Sequence, residues 1–259
     1  MSSANGAAHV MVCLLPDKGV ILGRHGTIAG RKAAQDSKRA AIFTKYARAI
    51  TVAAKGGGDP EYNAALKVAI DKAKGINMPN DNINRAIKKG TGELEGASYD
   101  ELIFEGYGPE GVAIIVEALT DNKNRTTSAV KSTFDKYGGN MGTPGCVSYM
   151  FSRNGVILIE KTSDISEDDL MEAALEAGME DMIVHDDHFE IRTALEDYHA
   201  VHEALSQAYE LAESAIEYVP SMESAPKAED SIKNLHKMID VLEDNDDVQN
   251  VYTNCSIDL

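Results

Sequence analysis

Two histidine pairs carry the side chains best suited to hold a metal ion, His185-Asp186-Asp187-His188 and His199-x-x-His202. Neutral imidazole nitrogens and carboxylate oxygens are the usual ligands of zinc-like ions. The first quartet spans an expected hairpin turn, where Asp-Asp is ordinary turn chemistry, and the second pair lies on an acidic amphipathic helix. These residues are therefore read as holding no metal and no cofactor, with a metal-dependent enzyme as the alternative from another class. The acidic pairs Asp168/Asp169 and Asp246/Asp247 could serve general acid–base chemistry. No nucleophile or oxyanion donor accompanies them. The first pair suits the dipole-favoured first turn of a helix, and the second a solvated helix-to-strand turn. Gly106-Tyr107-Gly108-Pro109-Glu110-Gly111 matches GxGxxG, but a β-run follows where a dinucleotide site needs a helix N-terminus. It is read as a hairpin turn. GxxxxGK[ST], HExxH and GxSxG strings are absent, and no catalytic residue is assigned.

Phosphate chemistry has a stronger signature. Residues 23–90 hold 14 basic and 5 acidic residues, whereas residues 91–259 hold 10 basic and 36 acidic ones, within a chain of net charge −17. A cationic block ahead of an anionic body is an electrostatic footprint for nucleic acid. The candidate contacts are Arg31, Lys32, Lys38, Arg39, Lys45, Arg48 and Lys55, extended by Lys67, Lys74, Arg85, Lys88 and Lys89. A second candidate contact is the pair of polar loops carrying Lys123, Asn124 and Arg125, and Gly138, Gly139 and Asn140, where exposed backbone N–H groups could receive a phosphate. Helix capping by Asn124 and termination by the glycines account for the same residues.

The elements that must position these groups follow from periodicity. Ala33–Lys55 reads as a helix with Phe43, Tyr46, Ala47, Ile50 and Ala54 inward, and with Lys38, Lys45, Arg48 and Lys55 roughly opposite. Gly56-Gly57-Gly58 ends it; a second helix opens at Asp59-Pro60 and a third at Asn77-Met78-Pro79. After Gly96 strands are expected at 101–107, 112–120 and 146–151, with a helix at 124–137 between the last two. Then 155–161, 167–177, 181–185, 188–193, 196–209 and 214–219 give β-α-β-β-α-β, the ferredoxin-like order. A helix at 230–242 and a strand at 248–254 follow a Pro/Ser linker. The expected class is α+β: an N-terminal all-α domain followed by two α+β, ferredoxin-like domains, one inserted in the other. The boundaries are a flexible extension 1–22, a basic helical domain 23–96, a discontinuous domain 97–152 plus 228–259, and an inserted domain 153–227.

Cys13, Cys146 and Cys255 form no CxxC pair, so neither a disulfide framework nor a zinc knuckle is indicated and a reducing cytoplasm is expected. No run approaches the roughly 18 apolar residues of a membrane span, so no membrane partner is expected. The apolar stretch from Ala7 to Leu15 lacks the basic start of a secretory signal.

The strings RKAAQDSKRAAIFTK (31–45), AITVAAKGGGDP (49–60), AIDKAKGINMPNDNINRAIKKGTGELEG (69–96), EGYGPEGVAIIVEALTDNKNRT (105–126) and GGNMGTPGCVSYMF (138–151) resemble the YebC/PmpR family. That family includes the mitochondrial translational activator of cytochrome oxidase. The resemblance implies three domains with the arrangement above and a non-enzymatic cytoplasmic factor in gene expression. Some members are described as DNA-binding transcriptional regulators, others as translation factors that help ribosomes through difficult nascent sequences. Many members begin GHSKWAxIKxRK, whereas this chain reads GRHGTIAGRK (23–32), without the Trp. Residues 1–22 match nothing in that pattern, and the native start is expected near Leu22. The expectation is a monomeric nucleic-acid-binding regulator whose partner is ribosomal RNA or the ribosome; duplex DNA is the rival target, and a protein-binding scaffold a third reading. The basic face is almost wholly Lys and Arg with few Asn or Gln, which favours backbone and shape recognition over base reading.

Overall fold

The computed structural model describes residues 39–96, 98–162 and 164–257. Arg31, Lys32 and Lys38, the extension and the GRHGTIAGRK string lie outside them. The first helix, α1 (Arg39–Ala53), continues into a short 3-10 turn at Ala54–Gly56 and stops where Gly57 takes φ 136°. Helix α2 (Ala64–Gly75) begins later than Asp59-Pro60 suggested, because Asn63 is its cap: the Asn63 side chain accepts from the Leu66 N–H and donates to the carbonyls of Ala53 and Gly57. Helix α3 (Asn80–Gly90) has Pro79 at its N-cap position. Ile50, Leu66, Ile70, Ala73, Met78, Ile83 and Ala86 form the core of this helical unit, with Phe43 and Tyr46 packed against it. Gly90 lets α3 meet α1, since a Cβ there would overlap the Thr51 carbonyl and the Ala54 methyl.

The first sheet contains β1 (Asp100–Tyr107), β2 (Ala113–Thr120), β3 (Asn140–Met141) and β8 (Val248–Thr253) in the order β3-β1-β2-β8. All its pairs are antiparallel. Strand β2 is central and nearly all apolar, as a strand covered on both faces must be. One face packs Phe104, Ile114 and Val116 against α4 (Lys123–Lys136) and α7 (Glu229–Glu243), through Val130, Phe134, Leu235 and Met238. Truncating a ring such as Phe134 to Ala would cost about 3–5 kcal/mol. On the other face Ala113, Ile115 and Tyr252 meet Val147, Phe151 and Tyr218.

The second sheet holds β4 (Phe151–Glu160), β5 (Asp181–Val184), β6 (His188–Thr193) and β7 (Leu211–Pro220) in the order β5-β6-β4-β7, again antiparallel throughout. With α5 (Glu167–Ala177) and α6 (Tyr198–Ala208) it has the ferredoxin-like order, and all its strands fall between β3 and α7 in the chain. Ile157, Ile159, Phe189 and Ile191 face Leu170, Ala174, Val201 and Leu205. The class is α+β, with two antiparallel four-stranded sheets.

Local differences from the sequence reading have local causes. The expected strand at 146–151 is a turn and a 3-10 helix, Ser148–Met150, and the third strand of the first sheet is Asn140–Met141 instead. The Glu105 carboxylate accepts the N–H groups of Gly145, Val147 and Ser148, which holds that segment out of any ladder. Helix α4 is capped by Asn122, not Asn124. The GxGxxG string is indeed the β1–β2 hairpin turn.

Candidate nucleic-acid interface

The cations of the basic block among the described residues do not share one surface. From the middle of α1 to the 3-10 turn that follows it, three of them turn toward the first sheet. Lys45 Nζ donates to the Glu243 carbonyl at 2.6 Å, Lys55 Nζ to the Tyr99 carbonyl at 2.6 Å, and Arg48 Nη1 to Asp247 Oδ1 at 2.7 Å. Arg48 also donates to the Asp246 carbonyl and lies over the Tyr99 ring. Glu243 is the last residue of α7, where carbonyls lack helical partners and carry the negative end of the dipole. The cationic stripe of α1 thus docks on an anionic helix end and its acidic turn within the same molecule. Lys45, Arg48 and Lys55, read from sequence as phosphate contacts, are placed as inter-unit contacts.

Asp247 is the focus of that junction. Its side chain is 6% exposed and also accepts from Arg125 Nη2 at 2.7 Å and Thr126 Oγ1 at 2.7 Å. Burial raises the carboxyl pKa, but the hydrogen bonds from Arg125 and Thr126 and the charges of Arg48 and Arg125 outweigh it, and the group is held below its ordinary value. Asp247 is therefore not the solvated turn residue expected. Arg125 is engaged by Asp121 as well, Lys123 lies 3.5 Å from Asp100, and Asn124 is exposed. Gly138 has φ 81° and follows the end of α4, and the Gly139 N–H donates to the Phe134 carbonyl. Asn140 pairs with Tyr107 in the sheet. A Cβ at Gly139 would strike the Tyr107 carbonyl oxygen. Helix termination and close packing occupy these three residues.

Lys67 lines a cleft of about 1010 Å³ between α2 and the second sheet's unit, facing a wall that includes His199, Glu203, Glu210 and Glu213. In that wall burial, then the neighbouring His199 charge, holds the His202 pKa below its ordinary value. Lys74, Arg85, Lys88 and Lys89 are exposed. On α3, Arg85, Lys88, Lys89 and Asn82 fall on the side opposite Ile83 and Ile87, with Asn84 exposed at its flank. Asn82 and Asn84 were missed by the sequence reading, although their helical spacing from Arg85 and Lys88 could have shown them. Arg39 is the first residue of α1. Among the described residues, His185, His188 and Glu190 make a group able to hold a metal ion, and His199 and His202 do not join it.

Two stretches of the chain match known family profiles. Residues 24–93 match the TACO1/YebC protein N-terminal domain, and residues 99–255 match the TACO1/YebC second and third domain. The chain belongs to the TACO1/YebC family. A family relative from Clostridioides difficile, named a probable transcriptional regulatory protein, is 52% identical over 239 residues, covering 92% of this chain and 100% of its own. The Bacillus subtilis relative YrbC, named in the same way, is 49% identical over 229 residues, covering 88% and 95%. The crystal structure of a conserved hypothetical protein from Aquifex aeolicus superposes with a TM-score of 0.80 at 43% identity, covering 87% of this chain and 93% of that one. Among the described residues of this TACO1/YebC member, no helix is long and apolar enough to cross a membrane.

Proposed function

We propose that this TACO1/YebC chain is a nucleic-acid-binding regulator of gene expression that performs no chemistry of its own. The observation that carries the reading is the outward cationic face of α3, where Arg85, Lys88 and Lys89 stand exposed, as does Lys74 of α2, and none of the four lines the acidic-walled cleft. The lysines near the end of α3 are also favoured there by the helix dipole, so they present charge at no cost to the helix. Phosphates would be gripped by this face, and the anionic body would be kept away from the same polyanion. Arg31, Lys32, Lys38 and Arg39 would extend the grip. The target we favour is structured RNA, such as the ribosome, recognised through backbone and shape.

Duplex DNA is the second reading, supported by two observations. Asn82 and Asn84 give α3 amide groups next to Arg85, and Asn and Arg are the side chains that read adenine and guanine edges in a major groove. The relatives are also named as transcriptional regulators.

The test is fluorescence anisotropy on the full chain with a labelled duplex and a labelled ribosomal RNA fragment, each titrated between 50 and 200 mM salt. Four neutralised phosphates predict a loss of roughly 100-fold or more on duplex over that range. A salt-independent signal on both probes, or none, would remove the reading. Competition between the probes decides the target: RNA should displace duplex if the favoured reading holds.

A further inference from the structure

The hairpin formed by β5 and β6 carries a side-chain arrangement that folding alone leaves unexplained. The His185 N–H donates to the His188 carbonyl at 2.9 Å and closes a tight turn over Asp186 and Asp187. Residues 188 and 190 lie two apart on β6 and so share one face of the strand, opposite the core residues Phe189 and Ile191. Both are buried, at 2% and 3% exposure. A buried imidazole beside a buried carboxylate is a costly pairing unless each polar atom is satisfied.

One atom is not. His188 Nδ1 lies 2.6 Å from Asp187 Oδ1, so the proton belongs on Nδ1 and the lone pair on Nε2. That Nε2 is buried with no hydrogen-bond partner. His185 stacks on His188 with ring centroids 4.3 Å apart and 12° between planes. His185 Nε2 lies 3.3 Å from Glu190 Oε2. Arg192 Nε holds the other carboxylate oxygen, Oε1, at 2.7 Å, which fixes the orientation of Glu190. His185, His188 and Glu190 each offer one ligand atom, and these lie within 4.8 Å of one another.

We infer that His185, His188 and Glu190 bind a divalent ion of the zinc class at the tip of this hairpin. Ligand bonds of about 2.0–2.1 Å around a tetrahedral ion place neighbouring ligand atoms about 3.3 Å apart. His185 Nε2 and Glu190 Oε2 already have that separation, and rotation of the partly exposed His185 ring out of its parallel stack is what lets both in-plane lone pairs meet one ion. Asp187 and Arg192 then act as outer supports. An aspartate on the far ring nitrogen is the usual partner of a metal-bound histidine, fixing its tautomer and raising its basicity. Two nitrogens and one oxygen suit zinc better than magnesium or calcium, which take mostly oxygen ligands. The fourth position would take water through the side where His185 is 32% exposed. The ion would tie the turn to β6 and stiffen the sheet's edge hairpin, a role separate from the nucleic-acid face on α3.

The test uses the purified full chain, freed of metal by chelation and titrated with zinc chloride by calorimetry, with Co²⁺ as a spectroscopic probe. A single zinc ion per chain is expected to bind, with a Co²⁺ spectrum lacking thiolate charge-transfer bands. His185→Asn and Glu190→Gln should each abolish that binding while leaving the far-UV circular dichroism unchanged. Asp187→Asn, which removes only an outer support, should weaken it by about 10–100-fold. Absence of zinc uptake would overturn the site, as would uptake unchanged in His185→Asn and Glu190→Gln. A thiolate-type Co²⁺ spectrum would equally overturn it, because the ion would then sit on a cysteine.

Discussion

Arg48 and Asp247, 199 residues apart in the chain, meet through a 2.7 Å bond between Nη1 and Oδ1 that joins the helical unit to the first sheet. Their side chains are only 14% and 6% exposed, so this pair works in a largely dehydrated setting. Breaking one partner of a buried pair leaves the other charge without compensation. Asp247→Ala is therefore expected to destabilise the protein by about 3–5 kcal/mol, measured by urea unfolding. In a double-mutant cycle with Arg48→Ala, the two losses should fall well short of additive. Additive losses would mean that the pair does not couple the units.

Charge reversal separates the two classes of cation. Arg85→Glu, Lys88→Glu and Lys89→Glu together should abolish nucleic-acid retention while keeping the chain folded, with the melting temperature lowered only by the dipole penalty of carboxylates at the end of α3. Replacing each of the three by Ala instead should lower the salt slope on duplex by about 1 per residue. Arg48→Glu should instead unfold or loosen the chain, since it places a second carboxylate against Asp247. A folded, binding-defective Arg48→Glu protein would contradict the placement.

Acid should act in two stages. The His202 and His236 pKa values are held down chiefly by burial. The folded state therefore binds fewer protons than the unfolded chain just below the ordinary histidine value, and stability falls as pH drops below about 6.5. Glu105 behaves differently: burial raises its pKa, but the N–H groups of Gly145, Val147 and Ser148 outweigh this and leave it lowered, as at Asp247. Stability from these depressed carboxylates is complete above their unfolded values, near pH 4, and is lost as pH falls through the folded ones. Denaturation midpoints measured from pH 8 to pH 3 should show both limbs. His202→Gln with His236→Gln should flatten the upper limb alone.

Gly139→Ala is expected to cost about 1–3 kcal/mol through overpacking. The added methyl meets the Tyr107 carbonyl oxygen and the Met238 side chain between sheet and helix. Thermal unfolding checks it, and an unshifted melting temperature would show that the backbone yields there.

Much of this molecule is readable along the chain because its cause is local. Helical spacing of Ile50, Leu66, Ile70 and Ile83 marks the core of the helical unit, and the alternation of β with α after Phe151 marks the ferredoxin-like sheet. The charge asymmetry at residue 90 is likewise a property of composition. What the chain order could not disclose is which cations face solvent. Arg48 and Arg85 have the same chemistry and comparable settings on basic helices, yet one is spent on Asp247 and the other is exposed. Asp247 gave no sign of its burial because its partners Arg125 and Arg48 lie 122 and 199 residues away. Coulomb attraction depends on distance in space, and only folding sets that distance.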